Sequence, residues 1–179
     1  MPLLPSVASS SMHGAVVPIA YYKVTSATHP IVLSNIPQNY QDLMIVINAT
    51  VSSGNNLIYV TFNGTYPNTI SYTTLDGNGS SATSSRTTSS DHFQFPSSSA
   101  TYPVSIVTHI LNYANTSTYK TLLNRFAGDF NGSGVTEISA SLVQITSGIT
   151  GFSINSQDNS DNLQAGSTIE VFGIRTVGQ

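Results

Sequence analysis

The residues that could perform chemistry in this chain are few and lie far apart. Four histidines, His13, His29, His92 and His109, fall in separate segments without the paired spacing that holds a metal. Asp91 and His92 are adjacent, but neighbouring residues of a strand point to opposite faces, so we do not expect them to act together. His109 alternates with apolar residues and fits a half-buried position in a sheet. We therefore expect no catalytic residue and no enzyme activity.

Two stretches have the oxygen-rich composition of calcium loops. They are DGNG at residues 76–79 and DNSDN at residues 158–162, and neither continues to the glutamate that an EF-hand requires. Hairpin turns use the same residue types for backbone reasons, and we favour this interpretation. Gly77 and Gly79 form a GxG motif with no helix after it, so a phosphate-binding loop has no support. No metal and no cofactor are expected.

The composition is polar but almost uncharged. Only 7% of the 179 residues are charged, and five Lys and Arg with a net charge of −3 leave no basic patch for nucleic-acid phosphates. No apolar run approaches the roughly 18 to 20 residues that cross a bilayer, so membrane insertion is not expected. The chain has no cysteine and hence no disulfide or thiolate metal site. Residues 1–20 lack the pattern of a secretory signal, which predicts synthesis in a cytoplasm.

The elements that would position any site are predicted from a hydrophobic period of two that starts at Val17. About ten strands are expected, and Asn- and Gly-rich turn signals separate several of them. These features predict an all-β protein, an antiparallel β-sandwich of residues 17–179, for which a jelly roll is the preferred topology. The strand-like segments are residues 17–24, 29–33, 42–50, 57–63, 69–75, 92–95, 104–113, 119–127, 135–145, 151–154 and 167–174.

Two strands allow a prediction of which face is buried. In residues 135–145 one face carries Ile138, Ala140 and Leu142, and the other carries Glu137 and Ser139, so the first is the better candidate for the core. The final strand, residues 167–174, is apolar on both faces near its end. It is therefore expected deep in the sandwich or against a neighbouring subunit.

Residues 77–90, GNGSSATSSRTTSS, contain no large apolar side chain. We favour a flexible surface loop for this segment. The alternative is an edge region ordered by a partner, where short side chains let backbones approach and hydroxyl groups cap unpaired backbone atoms.

Several stretches together resemble a group of small structural proteins of tailed bacteriophages. The stretches are LSNIPQNYQDLMIVINA, YVTFNG, SYTTLDGNGSSATSSR, ILNYANTSTYKTLLNRF and AGSTIEVFGI, and the match spans residues 30–175. The matching positions are structural and not catalytic. They are Ile36, Pro37, Tyr40, Asp42, Leu43, Asn112, Tyr113, Tyr119, Lys120, Gly166, Ser167, Thr168, Gly173 and Ile174.

The resemblance implies a virion component, made in the host cytoplasm, that serves as a tail fibre, baseplate appendage or capsid decoration protein. Members of the group are commonly β-sandwiches that assemble as homotrimers, so a homo-oligomer, and specifically a trimer, is expected. Residues 1–20 do not match the group well. Because this stretch is interrupted by proline and partly apolar, we expect residues 1–16 to form an N-terminal arm that docks onto other virion proteins.

A second function stays open beside the structural role. Tyr66, Tyr72 and Tyr102 could act as stacking platforms for glycans of a host surface, which would make the protein a receptor-binding module. Packing within strands is the simpler explanation for these tyrosines.

Overall fold

The computed structural model describes residues 15–52, 57–64, 69–95, 100–156 and 161–176. Within these ranges every regular element is a β-strand, and no helix that could span a bilayer occurs among them. The strands are β1 (Val16–Lys23), β2 (Ile31–Leu33), β3 (Asp42–Ala49), β4 (Ile58–Phe62), β5 (Ile70–Gly77), β6 (Ala82–Ser90), β7 (Phe93–Gln94), β8 (Val104–Leu111), β9 (Lys120–Asp129), β10 (Gly134–Val143), β11 (Phe152–Ser156) and β12 (Thr168–Ile174).

All of these strands except β6 overlap a segment that the sequence predicts. β1 begins at Val16, one residue before the predicted start of the sandwich. Residues 1–14 of the predicted N-terminal arm lie outside the described residues, and so does Tyr66.

The strands form two antiparallel sheets. The large sheet has eight strands in the order β1-β12-β3-β8-β9-β10-β5-β6, and the small sheet has four in the order β2-β11-β4-β7. The predicted all-β class and antiparallel sandwich are thus confirmed.

Two hairpins account for the greater width of the large sheet. β5–β6 and β9–β10 add four strands beyond β8. Without them the order is β1-β12-β3-β8 in one sheet and β2-β11-β4-β7 in the other, so strands from the two ends of the chain lie side by side in each sheet. Nested Greek keys produce this order, and it favours the predicted jelly-roll topology.

The hydrophobic core lies between the two sheets. On β3, Leu43, Ile45 and Ile47 are at most 1% exposed, because alternate residues of the strand point toward the small sheet. Phe93 and Phe95 complete the core from the small-sheet side. Their rings contact residues of the large sheet, with Phe93 edge-on to Tyr72 of β5 and Phe95 stacked on Phe126 of β9. Fully burying side chains of this size contributes about 1.5 to 3 kcal/mol each.

The two edges of the large sheet differ in character. β1 carries Pro18 and an irregular register between Pro18 and Ala20, and both features hinder pairing with another strand. β6 carries Ala82, Arg86 and otherwise only Ser and Thr, and none of its nine residues is buried. The favoured prediction of a surface loop for residues 77–90 is therefore wrong. Backbone pairing with β5 makes this segment a strand, since pairing needs no apolar side chain.

The predicted core face of β10 is also wrong. Glu137, Ser139 and Ser141 point inward and are at most 7% exposed, whereas Ile138 points outward and is 62% exposed. The register explains this result, because β10 pairs with both β9 and β5 and takes the same inward phase as Phe126 and its neighbours.

The final strand, β12, lies between β1 and β3. Ile169 and Val171 are fully buried in the core, and Phe172 and Ile174 are half-buried on the opposite side. Core packing therefore explains only one apolar face of β12. The other apolar face lies on the side of the large sheet that points away from the core.

Candidate functional site: the outer face of the large sheet

The side of the large sheet that points away from the small sheet is called the outer face. Because alternate residues point to opposite sides, the strand register defines rows of side chains that cross all eight strands. We call the two central rows row 1 and row 2. Row 1 is Tyr21, Glu170, Val46, Val107, Arg125, Ile138, Leu75 and Ser84, and row 2 is Pro18, Phe172, Met44, His109, Leu123, Ala140, Thr73 and Arg86.

The outer face exposes much apolar surface. Among the described residues, eight large apolar side chains are strongly exposed, and five of them lie on this face: Val16, Tyr21, Leu75, Leu123 and Ile138. Tyr21, Leu75 and Ile138 are each 62% exposed. Several exposed apolar side chains on one face mark a candidate site of interaction, because isolated soluble domains seldom leave much apolar surface in water.

Charges on the outer face are few and of both signs. Row 1 carries Glu170 and Arg125, and no ion pair within the described residues includes either of them. In row 2, His109 Nε2 lies 3.3 Å from Asp42 Oδ2, and Arg86 lies at the β6 edge. His109 lies half-buried on β8, as the sequence predicts.

A shallow depression interrupts the outer face where β1 meets β12. Its volume is about 190 Å³, and Tyr21, Glu170 and Phe172 are among its lining residues. A side chain that protrudes from another surface would fit such a depression. Ile138 and Leu123 protrude in this way from the opposite half of the same face.

The structure brings the side chains of Asp91 and His92 into contact, which corrects the prediction that they point to opposite faces of a strand. Their Oδ1 and Nδ1 atoms are 2.5 Å apart, because both residues lie in a bend between β6 and β7 and not on a strand. The other ring nitrogen of His92 lies 3.2 Å from Gln94 Oε1, and the Ser90 hydroxyl donates to the His92 carbonyl oxygen. Since that hydroxyl points at the backbone, Ser90 is not placed as a nucleophile for the pair.

Two acidic residues lie next to each other on the inner face of the large sheet. Glu137 of β10 lies directly across from Asp76 of β5 and is 7% exposed. Burial raises the pKa of the Glu137 carboxyl to about 7, and the neighbouring charge of Asp76 adds to the rise. Because burial is the main cause of the raised pKa, we interpret Glu137 as a determinant of stability.

Lys120 is fully buried and has no acidic partner among the described residues. Its Nζ donates to the carbonyl oxygens of Asn115 at 2.6 Å and Thr118 at 2.8 Å, and it also lies 3.2 Å from the carbonyl oxygen of Thr146. Burial lowers the pKa of Lys120. The side chain thus joins two loops by meeting their carbonyl groups, which is a structural role.

Of the two stretches that resemble calcium loops, DGNG is described in full, whereas residues 158–160 of DNSDN lie outside the described residues. Asp76 accepts a hydrogen bond from the Thr83 hydroxyl, and Asn78 Oδ1 accepts the backbone N–H groups of Ser80 and Ser81, as expected of a hairpin turn. Asp161 is buried and accepts from the Ser52 hydroxyl. In the part of the chain that the structure describes, no three acidic or histidine residues are close enough to hold a metal ion.

Several positions that carry the phage resemblance gather at one end of the large sheet, whereas Gly166, Ser167 and Thr168 lie at the other end of β12. The Tyr113 hydroxyl donates to the carbonyl oxygen of Pro37, and the Asn112 N–H donates to Asp42 at 2.7 Å. Burial raises the pKa of Tyr113. The Tyr40 ring lies so close to Gly173 that any Cβ there would overlap it. These contacts fix the segment before β3 against the ends of β8 and β12.

Of the tyrosines considered for glycan stacking, Tyr72 is 6% exposed and packs edge-on against Phe93. It is therefore a core residue and not a binding platform. Tyr102 is half-buried. Among the described residues it remains the candidate for glycan stacking.

No family model, no curated protein and no solved structure matches this chain. The fold and the outer face therefore carry the functional argument. The sequence indicates the outer face in two places. The final strand is apolar on both sides, and residues 135–145 carry an apolar face that the sequence pattern assigns to the core but that points outward.

Proposed function

We propose that this protein is a bacteriophage virion structural protein that works by self-association and by docking onto other virion proteins, as a tail fibre, tail appendage or capsid decoration subunit. The single observation that supports this function best is the broad outer face, which exposes five large apolar side chains and is uncovered by any described residue. A subunit that assembles in many copies needs such a face.

The low charge of the chain supports the same proposal. Hydroxyl and amide side chains keep a surface hydrated without creating a strong field, so copies can lie side by side with little mutual repulsion. Short hydroxyl side chains also lose less rotamer entropy than Lys or Glu when an interface orders them.

Self-association is tested by measuring the mass of the full chain in solution by light scattering over a range of concentrations. We expect oligomers in the wild type and a shift toward monomer in Ile138→Lys, because Ile138 protrudes from the outer face. Val32→Lys is the matched control, since Val32 is also β-branched and is 66% exposed but lies on the small sheet. A monomeric wild type, or equal effects of the two variants, would contradict the proposal.

The virion assignment needs a separate test. Peptide mass spectrometry of purified particles from the source that encodes this chain should detect it in many copies per particle. Its absence from intact particles would rule out the virion role even if the protein self-associates.

The receptor-binding alternative has weaker support, because Tyr72 is buried in the core. A glycan array probed with the full chain distinguishes the two functions. Binding that is lost in Tyr102→Ala would favour the alternative.

A further inference from the structure

We propose that two copies of this chain stack their outer faces about a two-fold axis that runs parallel to the strands, between β3 and β8. This inference rests on the proposed function and specifies the partner, a second copy, and its register. Rotation about this axis lays β3 over β8 of the partner, β12 over the partner's β9, and β1 over the partner's β10. Residues of one row stay within the same row, because the axis is parallel to the strands.

Charge complementarity selects this axis. Glu170 and Arg125 lie in row 1 on strands β12 and β9, at equal distances from the gap between β3 and β8. The rotation therefore places Glu170 over the partner's Arg125 and Arg125 over the partner's Glu170, giving two ion pairs per dimer. Moving the axis by one strand, to between β8 and β9, would place Glu170 over the apolar Leu75 instead.

Within one copy the two residues cannot meet. β12 and β9 are three strands apart, a separation of about 14 Å across the sheet. Among the described residues of one copy, neither Glu170 nor Arg125 forms an ion pair. A second copy supplies what each of these charges lacks.

The apolar side chains also match in this register. Val46 lies over the partner's Val107, and Phe172 lies over the partner's Leu123. Tyr21, beside the depression of about 190 Å³, lies over the partner's Ile138. The most exposed apolar side chain of β10 is thus seated against a concave part of the same face.

The area is sufficient for a stable dimer. The six overlapping strands have 7 to 10 residues each. At a spacing of about 4.8 Å and a rise of about 3.3 Å, they cover roughly 750 Å² per copy. Standard interfaces bury about 800 Å² per partner, so the overlap alone reaches the usual size. Two stacked sheets keep strand directions within about 30° of each other, which this axis allows.

Charge reversal tests the register. Glu170→Arg and Arg125→Glu should each weaken the dimer by about tenfold or more in Kd, because each replaces two attractive contacts by two repulsive ones. The double variant Glu170→Arg/Arg125→Glu should recover association to within a few-fold of the wild type. Analytical ultracentrifugation measures all four proteins, and circular dichroism confirms that each retains its strand content.

Mixing the two single variants provides a test that does not depend on the double variant folding. A copy with Glu170→Arg and a copy with Arg125→Glu present only attractive pairs to each other, so the mixture should form heterodimers while each variant alone is mostly monomeric. Native mass spectrometry distinguishes the heterodimer from the homodimers by mass.

The outcomes separate this inference from the proposed function. A monomeric wild type contradicts both. A wild-type dimer that neither single reversal weakens, or a mixture that forms no heterodimer, overturns the two-fold register and leaves self-association in place. A wild-type trimer, the assembly implied by the phage resemblance, likewise overturns the two-fold arrangement alone.

Discussion

Glu137 and Asp76 lie directly opposite each other on β10 and β5, and Glu137 is buried while its pKa is raised to about 7. The native state therefore binds a proton that the unfolded chain releases near its ordinary pKa of 4.5. Because the folded form holds more protons between these values, the contribution of Glu137 to stability falls as the pH rises from about 4.5 to about 7 and is constant on either side.

We expect Glu137→Gln to remove this slope and to stabilise the protein at pH 8 by roughly 3 kcal/mol at most. Urea denaturation of dilute protein at several pH values measures the effect. Glu170→Gln is the control, since Glu170 is the other glutamate of the chain and lies on the outer face. An unchanged pH dependence in Glu137→Gln would refute this explanation.

Lys120 should be a major contributor to stability. Lys120→Met keeps the length of the side chain but leaves the carbonyl groups of Asn115 and Thr118 without their donor. We expect the free energy of unfolding to fall by about 3 kcal/mol, since buried polar groups are costly to leave unpaired. Lys23→Met, at an exposed lysine of β1, should change it by less than about 0.5 kcal/mol. Equal losses in the two variants would show that the carbonyl contacts contribute nothing.

Ser139 and Ser141 offer a matched pair on the inner face of β10. Both are at most 3% exposed, but Ser141 Oγ accepts a hydrogen bond from Asn124 Nδ2 at 3.1 Å, whereas Ser139 Oγ makes only a poorly aligned contact with the Glu137 carboxyl, which partly offsets the rise in the pKa of Glu137. Ser141→Ala should destabilise by about 1 kcal/mol, and Ser139→Ala should cost less. Thermal unfolding of both variants measures the difference, and the reverse order would contradict the assignment of partners.

Gly173 should tolerate no side chain. In Gly173→Ala the new Cβ would overlap the Tyr40 ring, which also stacks under the Arg175 guanidinium at 5.8 Å. We expect a loss of about 2 kcal/mol, typical of overpacking. Gly77→Ala is the control, because a Cβ there would meet Ser81 O at an ordinary 3.7 Å.

A double variant identifies the cause. Tyr40→Ala removes the ring, so adding Gly173→Ala to it should cost far less than Gly173→Ala alone. Additive losses would mean that the backbone conformation at residue 173, and not the ring, excludes alanine.

The sequence predicts the number and place of most strands because alternation records which residues face water and which do not. The sequence predicts Val104–Leu111 and Lys120–Asp129 to within a few residues, although Lys120 and Asn124 are buried and Leu123 is 49% exposed. β6 was missed because its pairing with β5 depends on the backbone, and SSRTTSS has no side-chain alternation to reveal it.

The face of β10 shows a deeper limit. Ile138 and Leu142 have the apolar character of core residues, but an apolar face identifies contact with something other than water and does not say with what. The register with β9 and β5 decides which face points inward, and this information is not local. Asp91 and His92 were likewise judged from an assumed strand, whereas a bend places their side chains in contact.

The hairpin of β5 and β6 has a practical consequence for engineering. No side chain of β6 contributes to the core, and the turn at residues 78–81 is exposed. Foreign peptides inserted at this turn should leave folding intact, since chain ends there would emerge into solvent. The protein could in this way serve as a scaffold that displays an epitope on every subunit of an assembly.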